Sequence, residues 1–184
     1  MAVFAALIAA LGLVPPITVG VVPVPITLQT LGVMLAGALL GPVRGMLSVV
    51  VLEVLVLAGL PLLAGGRGGL GVFLGPTGGY LLGWIPAALV IGFLVQHWAL
   101  RRARPAARFA AVLLSTVVGG IGVVYALGVP WTAVVAGLPL STSLLGSLVF
   151  VPGDLLKTVV ATAVALNVHR SYRRLLGGVP AGAR

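Results

Sequence analysis

Long apolar runs, broken by glycine, proline and arginine, set the pattern of this chain. The first, spanning 1 to about 22, is uncharged, with no basic leader and no compelling cleavage site, so it reads as a retained helix and not a signal peptide. Pro15-Pro16 and Pro23-Val24-Pro25 cannot continue a helix and predict a rigid, irregular segment leading to Thr27, Gln29 and Thr30. Further helices are predicted over about 27–40, 46–60, 80–100 and 109–127. Gly41-Pro42-Val43-Arg44-Gly45 is expected to be a tight turn. Gly128-Val129-Pro130-Trp131 is expected to break the fifth helix, with Trp131 as an interfacial anchor. The apolar stretch 132–150, interrupted by Pro139 and Ser141-Thr142-Ser143, reads as a re-entrant or interfacial segment. The last helix is expected to begin with Pro152 near its first position, where proline is favoured, and to run to about His169. Between the third and fourth helices lies a loop dense in glycine, 61–79, whose composition suits close backbone approach and positive φ, as in a lid or re-entrant loop.

Composition turns this pattern into a fold class. Sixty per cent of residues are hydrophobic and 7% charged, against roughly 25% charged in a soluble domain. The expectation is an all-α integral membrane protein, a single domain over 1–184 with six transmembrane helices. The net charge of +9 does not point to nucleic acid, because the arginines cluster at the ends of apolar runs: Arg44, then Arg101, Arg102, Arg104 and Arg108, then Arg170, Arg173 and Arg174. That is the positive-inside pattern. Six spans with both termini cytoplasmic put all three groups inside the cell membrane and leave Arg67 outside, whereas a seventh span would split them. The proline segment, the glycine loop and the region around 131–154 then gather at the extracellular face. Cysteine is absent and only His97 and His169 occur, which excludes disulfides and leaves too thin a ligand supply for a metal.

Against this background two residues stand out. Asp154 is one of two acids and Lys157 the only lysine, three apart, where a charge-free run over 109–153 ends. At i,i+3 they share a helix face. The plain reading is a capping acid in a salt bridge at a helix N-terminus. Within a membrane, however, ionisable groups cost roughly 2.5–3.5 kcal/mol each and mark function by default. Such a pair suits a small ligand with N–H donors at one end and an anion at the other. Gln29, Thr77, Tyr80 and the backbone of Gly78-Gly79 fall at the same face and offer hydrogen bonds, with Phe73 and Trp84 as apolar wall. Backbone bonding by Gln29 and interfacial anchoring by Tyr80 are equally good readings. Arg67 is placed to draw in an anion or simply to be solvated. Glu53, midway along the third helix, has no evident role.

Catalysis finds little support. Gly66 to Gly71 matches G-x-G-x-x-G, but no βαβ unit surrounds it, and there is no phosphate-binding loop ending in G-K-[ST]. No histidine or acid pairs with a serine or threonine at a plausible depth. A solitary facilitator and, less well supported, a membrane-embedded enzyme using Asp154 are the alternatives to a binding protein that works with an external energy source. On the first helix Ala2, Ala6 and Ala10 form a small-residue face suited either to internal packing or to docking another membrane subunit.

Four stretches together resemble the BioY family, the biotin-binding S components of energy-coupling factor (ECF) transporters. They are Pro23-Val24-Pro25-Ile26-Thr27-Leu28-Gln29-Thr30, Ala36-Gly37-Ala38-Leu39-Leu40-Gly41-Pro42-Val43-Arg44-Gly45, Gly75-Pro76-Thr77-Gly78-Gly79-Tyr80-Leu81-Leu82-Gly83 and Pro152-Gly153-Asp154-Leu155-Leu156-Lys157. The resemblance implies a six-helix membrane fold that binds biotin from outside, without a cofactor. It implies as partners a transmembrane coupling (T) subunit and two cytoplasmic ATP-binding subunits, which would supply the hydrolysis this chain lacks. It implies that Asp154 and Lys157 hold biotin's polar groups, with Gln29, Thr77, Gly78 and Tyr80 near it, and that Ala2, Ala6 and Ala10 meet the coupling subunit. It also implies a longer polar leader than the one seen here.

Overall fold

The computed structural model describes residues 1–18 and 23–171. Regular structure among these residues is helical, apart from isolated antiparallel bridges that pair Ile17 with Ile26 and Leu63 with Arg67. The α-helices are α1 Ala2–Leu11, α2 Gln29–Leu40, α3 Pro42–Leu57, α4 Leu70–Leu74, α5 Gly78–Leu94, α6 Pro105–Val117, α7 Val124–Ala136, α8 Leu140–Ser147 and α9 Val151–Ser171. A π-helical turn, Val95–Ala99, extends α5; another, Val118–Val123, fuses α6 to α7; a 3₁₀ turn, Leu148–Phe150, joins α8 to α9. Among the described residues, three continuous helices are long and apolar enough to cross a membrane: Gly78–Ala99, Pro105–Ala136 and Leu140–Ser171. Each of the last two has 32 residues, so each rises about 48 Å and overruns a hydrocarbon core of about 30 Å.

Several expected boundaries move. The first helix stops at Leu11, and the chain turns at Gly12 well before the prolines. The expected turn at Gly41–Gly45 is instead the start of α3, with Pro42 in its first turn, where its missing N–H costs nothing. The fifth helix does not break at Gly128–Trp131; it runs through Pro130 to Ala136. Membrane helices tolerate an interior proline where neighbouring elements hold the backbone, and here α7 lies along α5 and grips the loop before it. Trp131 donates its indole N–H to the Gly75 carbonyl at 2.9 Å, and Thr132 donates its hydroxyl to the Pro76 carbonyl at 2.7 Å. Trp131 is thus a staple between elements rather than only an interfacial anchor.

The stretch 132–150 is likewise no separate segment. Thr132 to Ala136 complete α7, Gly137 ends it in the left-handed region at φ 64°, and Leu140 to Phe150 run in line with α9. Ser143, part of the expected interruption, bonds to backbone instead, its hydroxyl to the Val129 carbonyl at 2.9 Å, and Ser147 does the same to the Ser143 carbonyl at 2.7 Å. Hydroxyls satisfied in this way sit in a helix at little cost. α9 begins at Val151, so Pro152 and Asp154 fall in its first turn as expected, but the 3₁₀ turn runs straight into it and Asp154 caps no open N-terminus.

The helices enclose two layers of core. One layer centres on Ile8, Val49, Leu52, Tyr80, Trp84 and Phe150. The other gathers Met34, Ile91, Val112, Ala161 and Leu166. At the start of α5 the helix meets α7 closely because Gly79 has no Cβ, which would stand 2.7 Å from the Leu127 carbonyl and against the Trp131 side chain. Arg173 and Arg174, assigned to the cytoplasmic cluster, lie outside the described residues.

Candidate binding site

Asp154 and Lys157, one helical turn apart on α9, are 5% and 6% exposed. They form a direct ion pair, Lys157 Nζ to Asp154 Oδ1 at 2.8 Å. Two further side chains complete the group. Tyr125 donates its hydroxyl to Asp154 Oδ2 at 2.6 Å, and Lys157 donates to Thr30 Oγ1 at 3.0 Å. Both carboxylate oxygens therefore have a partner, and the ammonium bridges α9 to α2. Burying an unpaired charge costs several kcal/mol; pairing and hydrogen bonding offset much of that. The arrangement holds a carboxylate in a fixed orientation in an apolar protein.

The pair faces a small cavity of about 60 Å³. Its walls are the 24–27 segment, the first turns of α5, the start of α7 and the start of α9. Tyr80 and Trp84 project from α5, four residues apart and hence on one face. Tyr80 is fixed at both ends: its hydroxyl lies 2.8 Å from Ser147 Oγ, and its ring meets Tyr125 and Phe150 edge-on, with centroids at 5.9 and 6.4 Å. Such aromatic contacts add about 0.5–1.5 kcal/mol beyond their buried area. Trp84 lines the cavity with its indole N–H unpartnered among the described residues. Arg67 lines it from the glycine loop, with Nε donating to the Ala64 carbonyl at 3.1 Å. Partial burial holds its guanidinium below the usual pKa, because desolvation disfavours the cation.

The structure separates the residues that sequence placed at one face. Asp154, Lys157, Gln29, Thr77 and Tyr80 all line the cavity, but Gly78 does not. Gly78 is a close-packing position, where a Cβ would run into the Phe73 carbonyl. Phe73, expected as wall, packs against the core layer that holds Tyr80 and Trp84 instead. Thr77 gives its hydroxyl to the Val72 carbonyl at 3.3 Å. Gln29 reaches the cavity, yet its amide bonds to the backbone of Ile8, Leu62 and Ala64. Glu53 is buried in α3, away from the cavity lining, with Oε1 unpartnered among the described residues. No cluster of three or more His, Cys, Asp or Glu suited to a metal occurs among the described residues.

Tyr125, Ser147 and Phe150 were not anticipated. Tyr125 carried a usable signal, as the one tyrosine in the charge-free run over 109–153. Its direction depends on the preceding π-helical turn, where Gly119, Gly120 and Gly122 let the helix widen. Such turns recur at functional sites.

Comparison with known proteins identifies the family. The family model described as "BioY family" matches residues 1–174. A relative from Rhodobacter capsulatus named biotin transporter BioY is 51% identical, covering 92% of this chain and 90% of the relative. One of the same name from Rhizobium etli is 46% identical, covering 93% and 91%. A crystal structure described as the S-component for biotin from an ECF-type ABC transporter superposes with a TM-score of 0.87 at 37% identity, covering 92% of this chain and 88% of that one. With a match across nearly its whole length, this chain belongs to the BioY family.

Proposed function

We propose that this chain captures biotin at the outer face of the cell membrane as the substrate-specific component of an ATP-driven ECF-type importer. The observation that carries the reading is the buried Asp154–Lys157 pair, braced by Tyr125 and Thr30 at a cavity between helices. The names of the relatives and of the solved neighbour support biotin as the ligand.

The geometry favours one orientation of that ligand. Asp154 is the acceptor suited to the ureido N–H groups. Lys157 already serves Asp154 and Thr30, so its role is to hold the carboxylate rather than to meet biotin's anion. The other cation at the cavity is Arg67, on the loop side. Arg67 then takes the valerate carboxylate, which offsets the cost of its own desolvation, and Trp84 offers an N–H to a ligand acceptor. Thr77, Tyr80 and the stem of Gln29 supply the remaining wall. Arg67→Gln is expected to weaken biotin binding about tenfold, or about 1.4 kcal/mol, while leaving biotin methyl ester unaffected. Titrating both ligands checks this, and equal losses for the two would reverse the orientation.

In this role the chain makes six passes, with both termini cytoplasmic and the cavity opening outward. The long helices, the shorter apolar α1 and α2, and the arginines at helix ends support that count. The partners are a transmembrane coupling subunit and two cytoplasmic ATP-binding subunits. Ala2, Ala6 and Ala10 are exposed along α1 while Ala5 and Ile8 point into the bundle, which leaves the small-residue face free to dock. Ala6→Trp is expected to bind biotin normally but to abolish co-purification with the coupling subunit and biotin uptake in cells. Intact assembly would move the docking surface elsewhere.

A further inference from the structure

The binding cavity, at about 60 Å³, is well below the roughly 300 Å³ at which small-molecule pockets begin. A ligand of biotin's size therefore needs one wall to move. Helical walls are poor candidates, since Tyr80, Asp154 and Lys157 are tied to neighbouring helices. The loop between α3 and α4 is different. Leu63 and Arg67 line the cavity from this loop and are bridged to each other in a short hairpin. Gly59, Gly65, Gly66 and Gly69 hold φ of 102°, 78°, 69° and 81°, a region in which glycine alone moves without steric cost. Behind the hairpin lies a recess of about 320 Å³, formed with Gly12, Pro15 and Pro16 at the end of α1. Leu63 borders both spaces.

Leu63 and Ala64 of the hairpin are buried against the bundle, and one side chain supplies its hydrogen bonds there. Gln29, 1% exposed, donates from Nε2 to the Leu62 carbonyl at 3.0 Å and to the Ile8 carbonyl at 3.2 Å, and accepts at Oε1 from the Ala64 N–H at 2.9 Å. The other hydrogen bonds of 61–67 among the described residues stay within the hairpin or its stem: Leu62 N–H to the Leu60 carbonyl, Leu63 and Arg67 with each other, and Arg67 Nε to the Ala64 carbonyl.

We propose that Gln29 is a positioning residue: its amide latches the 61–67 hairpin over the cavity, and release of the latch lets Leu63 and Arg67 withdraw toward the recess so that ligand can pass. The ligand part of this proposal rests on the biotin reading above. A latch and a ligand contact leave different kinetic marks. Losing a contact speeds dissociation alone. Losing a latch exposes the cavity more often, so association and dissociation both quicken.

The test uses the full chain in phospholipid nanodiscs, as wild type, Gln29→Met and Gln29→Glu. Hydrogen–deuterium exchange reads the loop, and stopped-flow biotin binding reads the two rate constants. Gln29→Met is expected to raise amide exchange over 61–67 and both rate constants by about tenfold, with peptides from α5 and α9 unchanged. Gln29→Glu keeps the acceptor for Ala64 but sets a carboxyl oxygen against the Ile8 and Leu62 carbonyls in place of the donors, so it gives a change of the same kind. It carries the test if the methionine variant does not fold. Unchanged exchange over 61–67 in either folded variant would overturn the latch, and faster dissociation alone would make Gln29 a ligand contact. Exchange is measured without ligand, so a wild type that binds no biotin would sink the biotin reading while the latch is still decided.

Discussion

Asp154→Asn is expected to weaken biotin binding by about tenfold to a hundredfold, or roughly 1.5–3 kcal/mol, the range of a hydrogen bond to a charged group. The substitution preserves shape and removes charge. It leaves the Lys157 ammonium buried with only Thr30 beside it, and it removes the strong acceptor of the Tyr125 hydroxyl. Breaking a buried pair from one side costs about 3–5 kcal/mol of stability, so the variant should also melt lower in detergent. The two losses can be separated. Asp154→Asn combined with Lys157→Met removes the orphaned charge and should recover much of the melting temperature. It should not recover affinity, because the amide that replaces the carboxylate offers the ureido N–H groups one neutral acceptor in place of a charged pair of oxygens. Recovery of both would reduce the pair to a structural bridge. Titration calorimetry and thermal unfolding on the two variants read the two effects independently.

Gly78→Ala is expected to destabilise the protein by several kcal/mol although it lies outside the cavity lining. An added Cβ would run into the Phe73 carbonyl and approach the Trp131 indole nitrogen to 2.9 Å. Neither group can yield cheaply: one is backbone, and the other is committed to the Gly75 carbonyl. Overpacking of this kind typically costs about 1–3 kcal/mol and occasionally more. The position sits at the first turn of α5, so the strain passes to Tyr80 two residues on. Thermal unfolding checks the prediction, and a melting temperature equal to wild type would mean that the 73–78 segment adapts freely.

These expectations show what the sequence made legible and what it hid. The Asp154–Lys157 pair could be read because opposite charges three residues apart in an apolar helix have few explanations. The arginine clusters were legible for a related reason, since a charge at a helix end is cheap only at the interface. The run through Pro130 was hidden because a proline's effect on a helix depends on its neighbours. Here Trp131 and Thr132 hold the loop before α5 against α7. Ser143 looked like part of an interruption because its acceptor, a carbonyl of α7, could not be seen from composition. Gln29 lines the cavity and Gly78 follows Thr77, which does, yet proximity did not give their jobs. A buried amide with three backbone partners 21 to 35 residues away, and a glycine pressed on a carbonyl, are facts of tertiary packing. Tyr125 needed the π-helical turn before it to point at Asp154, and nothing in an apolar run with three glycines announces such a turn.

The account stands or falls on one titration. Purified full-length protein in detergent is titrated with biotin, with riboflavin as the control vitamin, alongside folded Asp154→Asn/Lys157→Met. The account predicts saturable one-to-one binding of biotin to wild type, no binding of riboflavin, and at least a tenfold loss of biotin affinity in the double variant. Folded wild type that takes up no biotin, or a double variant that binds it as tightly as wild type, would contradict it.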